Sequence, residues 1–222
     1  MKKTSNTHWL VIAWLLITLH HSLFTATALA EEASDPLHSF LEELDTLKSD
    51  FTQTLIGTNG NVLEEAAGVL VMQSPGKFYW SYESPYVQKI ITDGRTLWIY
   101  DEDLEQVTIK DVSESINDSP AAILSGSENL ERHYLVENQG EIEGLNMFEL
   151  NPVDSENQFE KIYIGFLGKQ LFLMVMYDNL GQTTRINFKN PQRNVVVDAD
   201  RFDFLPPDGV DVIDDRPGTA TP

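Results

Sequence analysis

The sequence has no cysteine. That excludes disulfide scaffolds, thiolate metal sites, cysteine nucleophiles and a lipid-modified cysteine at the N-terminus. Cations are also scarce: 15 Lys and Arg stand against 35 Asp and Glu, giving a net charge of −20 over 222 residues. A face that binds nucleic-acid phosphates needs the opposite balance, and an anionic membrane surface repels such a chain on average. Histidine is sparse too. Of the five, His8, His20 and His21 fall in the first thirty residues, leaving His38 and His133 far apart. No G-x-S-x-G elbow, phosphate-binding loop, G-x-G-x-x-G turn or H-E-x-x-H pair occurs. The acidic runs Asp101-Glu102-Asp103 and Asp198-x-Asp200-x-x-Asp203 lack the glycine that lets a calcium loop turn, and they read as solvated turns. The expectation is a protein with no catalytic residues, no cofactor and no metal site.

What is present is apolar mass. At 41% hydrophobic and 10% aromatic the chain is too apolar for wholesale disorder, and its length suits one main domain. The first thirty residues stand apart. Lys2 and Lys3 precede an apolar run from Trp9 to Leu19, and Ala28-Leu29-Ala30 supplies small residues at a cleavage site. This is the layout of a secretory signal. The apolar run is 11 residues long, well short of the roughly 20 that span a bilayer. Cleavage after Ala30 is expected to leave residues 31–222 as a single exported domain, and losing two lysines takes the charge from −20 to −22.

Asp35-Pro36 reads as a helix start, an acidic N-cap followed by proline at the first helical position. Leu37, Phe40, Leu41, Leu44, Leu47 and Phe51 follow at spacings of three and four, which predicts an amphipathic helix of about 14 to 16 residues. Beyond Phe51 the period becomes two. Short runs bounded by turn residues predict strands over 68–73, 77–82, 87–92, 96–100 and 106–110. A further set covers 134–138, 145–150, 159–166, 170–177 and 183–189. Asn59-Gly60 and Asp178-Asn179-Leu180-Gly181 are hairpin signals. Between the two sets, Ser119-Pro120 opens a short helical stretch through Ile123 and Leu124. Short turns imply an antiparallel meander, because parallel neighbours need long crossovers. A sheet of about ten or eleven strands must curl or close.

Several strands are apolar on both faces. Phe78-Tyr79-Trp80-Ser81-Tyr82, Leu97-Trp98-Ile99-Tyr100 and the seven-residue run Leu171 to Tyr177 carry large side chains on alternating sides, with Met72, Met147, Met174 and Met176 among them. A half-solvated sheet should be polar on one face. Two readings stay open: an ordinary core with further packing on the second face, or an apolar surface kept for a guest, for which methionine is well suited.

Four segments in order resemble the periplasmic outer-membrane lipoprotein carrier family, LolA, over nearly the whole exported chain. They are the helix leading into Phe51-Thr52-Gln53, then Ser74-Pro75-Gly76-Lys77-Phe78-Tyr79-Trp80. Thr92-Asp93-Gly94-Arg95-Thr96-Leu97-Trp98-Ile99-Tyr100 is the third, and the closing Phe202-Asp203-Phe204-x-Pro206-Pro207-x-Gly209 is the fourth. The resemblance implies a mainly β fold with helices: an unclosed antiparallel half-barrel of about 11 strands under an α-helical lid. It implies a soluble, monomeric, non-enzymatic periplasmic chaperone. Such a carrier takes triacylated lipoproteins from an inner-membrane ABC-type release complex, LolCDE, and delivers them to the outer-membrane receptor LolB. A lipid-sensing regulatory module of the cell envelope on the same scaffold is the alternative. The acyl-chain residues it implies are Phe51, Phe78, Trp80, Leu97, Trp98, Leu124, Met147, Met174 and Met176. Ser74, Ile123 and Leu124 fall at the expected lid latch. Where the family often has arginine, Ser74 lacks the five donors of a guanidinium.

Overall fold

Alternating burial along the strands shows how the sheet bends. The structure, a computed structural model, describes residues 36–112, 123–124, 130–155 and 157–218. The chain divides into two compact units, Met1–Ala33 and Ser34–Pro222, and the described residues belong to the second. The expected signal segment 1–30 and the helix start at Ser119-Pro120 lie outside the described residues.

Helix α1 spans Pro36–Glu42. Six strands follow: β1 Thr46–Ile56, β2 Val62–Gln73, β3 Lys77–Ser84, β4 Gln88–Thr92, β5 Thr96–Asp101 and β6 Gln106–Asp111. After the one-turn helix α2, Leu130–His133, come β7 Tyr134–Ile142, β8 Leu145–Pro152, β9 Phe159–Leu167, β10 Gln170–Asp178 and β11 Thr183–Arg193. A 3-10 turn at Ala199–Phe202 and strand β12, Asp211–Asp214, complete the domain.

All twelve strands form one open sheet in the order β12-β6-β5-β4-β3-β2-β1-β11-β10-β9-β8-β7. Two meanders, β1–β6 and β7–β11, are joined where β1 pairs antiparallel with β11. Every pair is antiparallel except β12 with β6, which runs parallel at one edge. The expected count of about eleven is therefore corrected to twelve: Asp211–Asp214, beyond the closing Phe202–Gly209 segment, also joins the sheet. A sheet this wide curls. Buried side chains from β1, β2, β3, β5 and β7–β11 accordingly meet in one cluster on the concave face.

The predicted long helix is also corrected. Its first half is α1, but Leu47 and Phe51 lie on β1. A spacing of four is even, so it satisfies a strand as well as a helix. Pairing settled the choice, because from Thr46 onward β1 bonds with β2 on one side and from Leu47 with β11 on the other. Asn194 marks the boundary. Its Oδ1 accepts from Asp45 N at 2.9 Å and Thr46 N at 3.3 Å, and its Nδ2 donates to Glu43 O at 2.8 Å. Such a cap ends the helix from 149 residues away, a link that local spacing does not reveal.

Candidate functional site

The concave face is built from alternate residues of each strand. Cross-strand register places Phe51 beside Phe188 and Gly68, Leu70 beside Trp80, and Met72 beside Phe78. It continues through Thr92 to Leu97 and through Ile90 to Ile99. On the other half, Met174 lies between Ile164 and Ile186, while Met176 faces Ile162. A bulge in β10 between Leu171 and Leu173 turns Phe172 outward and keeps Leu171 and Met174 both inside.

These side chains pack on one another. Phe78 and Leu124 are each 1% exposed, and Trp80 is 3% exposed. Phe51 packs on Trp80 with ring centroids 4.7 Å apart and planes tilted by 48°, and meets Tyr82 edge-on at 5.4 Å. Burying each such ring contributes about 1.5–3 kcal/mol. From helix α1, Leu37, Phe40 and Leu44 join the same cluster, as do the helical residues Ile123 and Leu124 of the β6–β7 link. Phe40 packs against Phe166 at 4.7 Å.

Seven of the nine expected acyl-chain residues are thus brought together: Phe51, Phe78, Trp80, Leu97, Leu124, Met174 and Met176. Trp98 and Met147 are not. Trp98 shares register with Ile91 and Ile109, on the convex side, where its ring lies 6.3 Å from Phe204. Met147 pairs with Gly165 and packs with Leu173 and Val175 in a separate convex cluster. The correction follows from the two-residue period: a neighbour of an inward residue faces outward. It also explains the two-faced strands. On the β3–β6 half, the convex face carries Phe204 against Trp98 and Tyr100, and Arg201 over the Tyr79 ring at 5.1 Å.

Polar groups enter the concave face at one depth. The Tyr82 hydroxyl donates to Gln53 Oε1 at 3.0 Å, reaching across β2, and burial pushes its pKa up to about 12. Trp80 Nε1 is fully buried with no hydrogen-bond partner; the nearby Tyr82 hydroxyl falls outside hydrogen-bond geometry. Closer to the turns, Tyr86 donates to Glu64, which raises its pKa to about 12 because the bond favours the protonated phenol.

At the opposite end, Arg193 holds α1. Its guanidinium sits 4.5 Å over the Phe40 ring and donates to Phe40 O at 3.3 Å and Lys169 O at 3.4 Å. A cleft of about 250 Å³ opens here, lined by Ser39, Phe40, Glu43, Phe166, Lys169 and Arg193 among others. Ser74 meets the residues after α1 in space: its N–H donates to Asp45 O at 2.8 Å, tying the β2–β3 turn to them. Sequence reasoning missed Arg193, Asn194, Gln53 and Tyr82 as a set. The only local signal was a cation and an asparagine closing a strand in a chain poor in cations.

The acidic runs are turn caps. Asp101 Oδ1 accepts from Leu104 N at 3.0 Å, and Asp198 Oδ1 accepts from Asp200 N at 3.1 Å. Among the described residues no group of three or more His, Asp or Glu is placed to hold a metal ion. His133 ends α2 with its side chain exposed. Among the described residues no helix is long and apolar enough to cross a membrane.

The family model described as "Outer membrane lipoprotein carrier protein LolA" matches residues 42–205. A protein of Dechloromonas aromatica named outer-membrane lipoprotein carrier protein is 39% identical over 181 residues, covering 82% of this chain and 87% of its own. Proteins of the same name from Methylococcus capsulatus and Chromobacterium violaceum are 42% and 40% identical. They cover 81% and 86% of this chain, and 86% and 96% of their own. A crystal structure of an uncharacterized conserved protein from Thermus thermophilus shares the fold, with a TM-score of 0.56 at 12% identity. That match covers 83% of this chain and 99% of the other.

Proposed function

Since the chain belongs to the outer-membrane lipoprotein carrier family, LolA, we propose that it binds the acyl chains of triacylated lipoproteins against its concave face and carries them across the periplasm. In this reading an ABC-type inner-membrane complex, LolCDE, loads the carrier and the outer-membrane receptor LolB unloads it. Residues 1–30 act as a signal that is removed on export. The chain works as a soluble monomer and catalyses no covalent step.

One observation carries the reading. A continuous apolar floor runs over both halves of an unclosed sheet, and helical residues Ile123 and Leu124 lie on it. Each CH₂ taken from water contributes about 0.8 kcal/mol, so three acyl chains require such a floor for passage through an aqueous compartment. The side chains fill the space in this state, so loading begins with displacement of a lid. We assign the lid to α1 together with Ile123 and Leu124. Ser74 carries no guanidinium; Arg193, which bonds Phe40 O, serves as the latch on α1. The name shared by the curated relatives favours a carrier over a regulatory module.

The test is release from membranes. The protein is incubated with ATP and inner-membrane vesicles that contain the release complex and a labelled triacylated lipoprotein. Soluble label co-eluting with the protein is the expected result; label that stays in the vesicles overturns the reading.

A further inference from the structure

Trp80 presents an anomaly on the concave wall. The residue is 3% exposed, and its indole N–H has no acceptor. A buried donor left unmet costs about 1–3 kcal/mol, and phenylalanine would fill a similar wall without that cost. Gln53 does not relieve it, since its Oε1 already accepts from Tyr82. Around the indole lie Phe51, Leu70 and Ile90, which offer no charge, and Tyr82, whose hydroxyl gives its proton to Gln53 and is out of hydrogen-bond geometry for the indole N–H. The wall therefore supplies a neutral donor at a fixed depth. What it lacks is a neutral acceptor in line with the indole N–H, which a hydrocarbon tail does not provide and an ester carbonyl does.

We infer that the Trp80 indole N–H donates to an ester carbonyl of the cargo's diacylglyceryl group and so fixes how deep the lipid sits. The inference rests on the carrier reading and extends it. The acyl tails then lie along the apolar floor, with the glycerol carbons level with Trp80. A charged headgroup group is a poor occupant of this position, because no cation adjoins the indole among the residues named above. Tyr82 and Gln53, bonded to each other, close the polar belt at the next level toward the turns.

The experiment compares two synthetic probes by binding titration with the purified protein. One is a triacylated lipopeptide with ester-linked chains on the glyceryl group. The other carries ether links at both positions and keeps the N-acyl amide. The wild-type protein is expected to bind the ester probe about tenfold more tightly, in line with one buried hydrogen bond of roughly 1.4 kcal/mol. Trp80→Phe is expected to bind both probes with the affinity of the ether form. A variant with benzothienylalanine at position 80 keeps the ring shape, lacks the N–H, and should do the same. Equal affinity of the wild type for both probes overturns the inference, as does an ester preference that survives in the benzothienyl variant. In either of those cases binding of the ether probe leaves the carrier reading standing, whereas a wild type that binds neither probe defeats both.

Discussion

Phe51 and Trp80 touch at 4.7 Å although a whole strand separates their backbones. Phe51 is on β1, Trp80 on β3, and the residue of β2 opposite Phe51 is Gly68. Glycine here leaves room above the strand and also permits a close backbone approach. A Cβ on Gly68 would lie 1.8 Å from the Ser81 carbonyl oxygen, where β2 and β3 shift register. Gly68→Ala is expected to destabilise the fold by about 3 kcal/mol or more, because backbone rather than a flexible side chain must yield. Chemical denaturation measures it. An unchanged midpoint would show that the β2–β3 bulge absorbs the methyl group.

Arg193→Leu removes the donors to Phe40 O and Lys169 O together with the cation over the Phe40 ring. A loss of about 1–2 kcal/mol is expected from the hydrogen bonds and the cation–π contact. It should be local. Amide exchange should quicken over α1, while protection of β8–β10 stays as in the wild type. Uniform loss of protection would mean that α1 and the sheet open as one unit.

Asn194 separates two effects. It has φ of 53° and its side chain bonds Asp45, Thr46 and Glu43. Asn194→Gly keeps the left-handed backbone but loses those bonds, whereas Asn194→Ala loses both. The alanine variant is expected to melt lower than the glycine variant, and both lower than the wild type. Thermal melts of the three proteins decide the order.

Alkaline pH should weaken the fold through Tyr82. Its pKa is raised by burial to about 12 from an ordinary 10. The folded state therefore holds its proton more tightly than the unfolded state. The resulting stabilisation is complete below pH 10 and is lost as pH rises toward 12. Tyr82→Phe should flatten that part of the stability profile. A wild-type slope retained in the variant would assign it to another tyrosine.

Local spacing made the strands, their turns and the apolar floor legible, because period-two alternation and Asn-Gly turns are properties of neighbouring residues. The extent of the first helix was not legible: Leu47 and Phe51 fit both periods, and pairing with β2 and β11, with Asn194 at the boundary, decided between them. Face assignment failed for Trp98 and Met147 for a related reason. In runs such as Leu97-Trp98-Ile99-Tyr100 both faces are apolar, so composition cannot say which side is concave. Register with Phe78 through Thr92 and Leu97 does. Arg193 was invisible as a helix anchor, since nothing beside it in sequence names Phe40.

The two meanders interlock in space in a way their connection does not require. β1 of the first lies against β11 of the second, and β12, from the end of the chain, lies against β6. The halves are thus held at two seams, independently of the peptide link between β6 and β7. Cutting that link should yield two fragments that stay together as one body and reassemble when mixed. The two seams, and not covalent continuity across the floor, then carry the architecture.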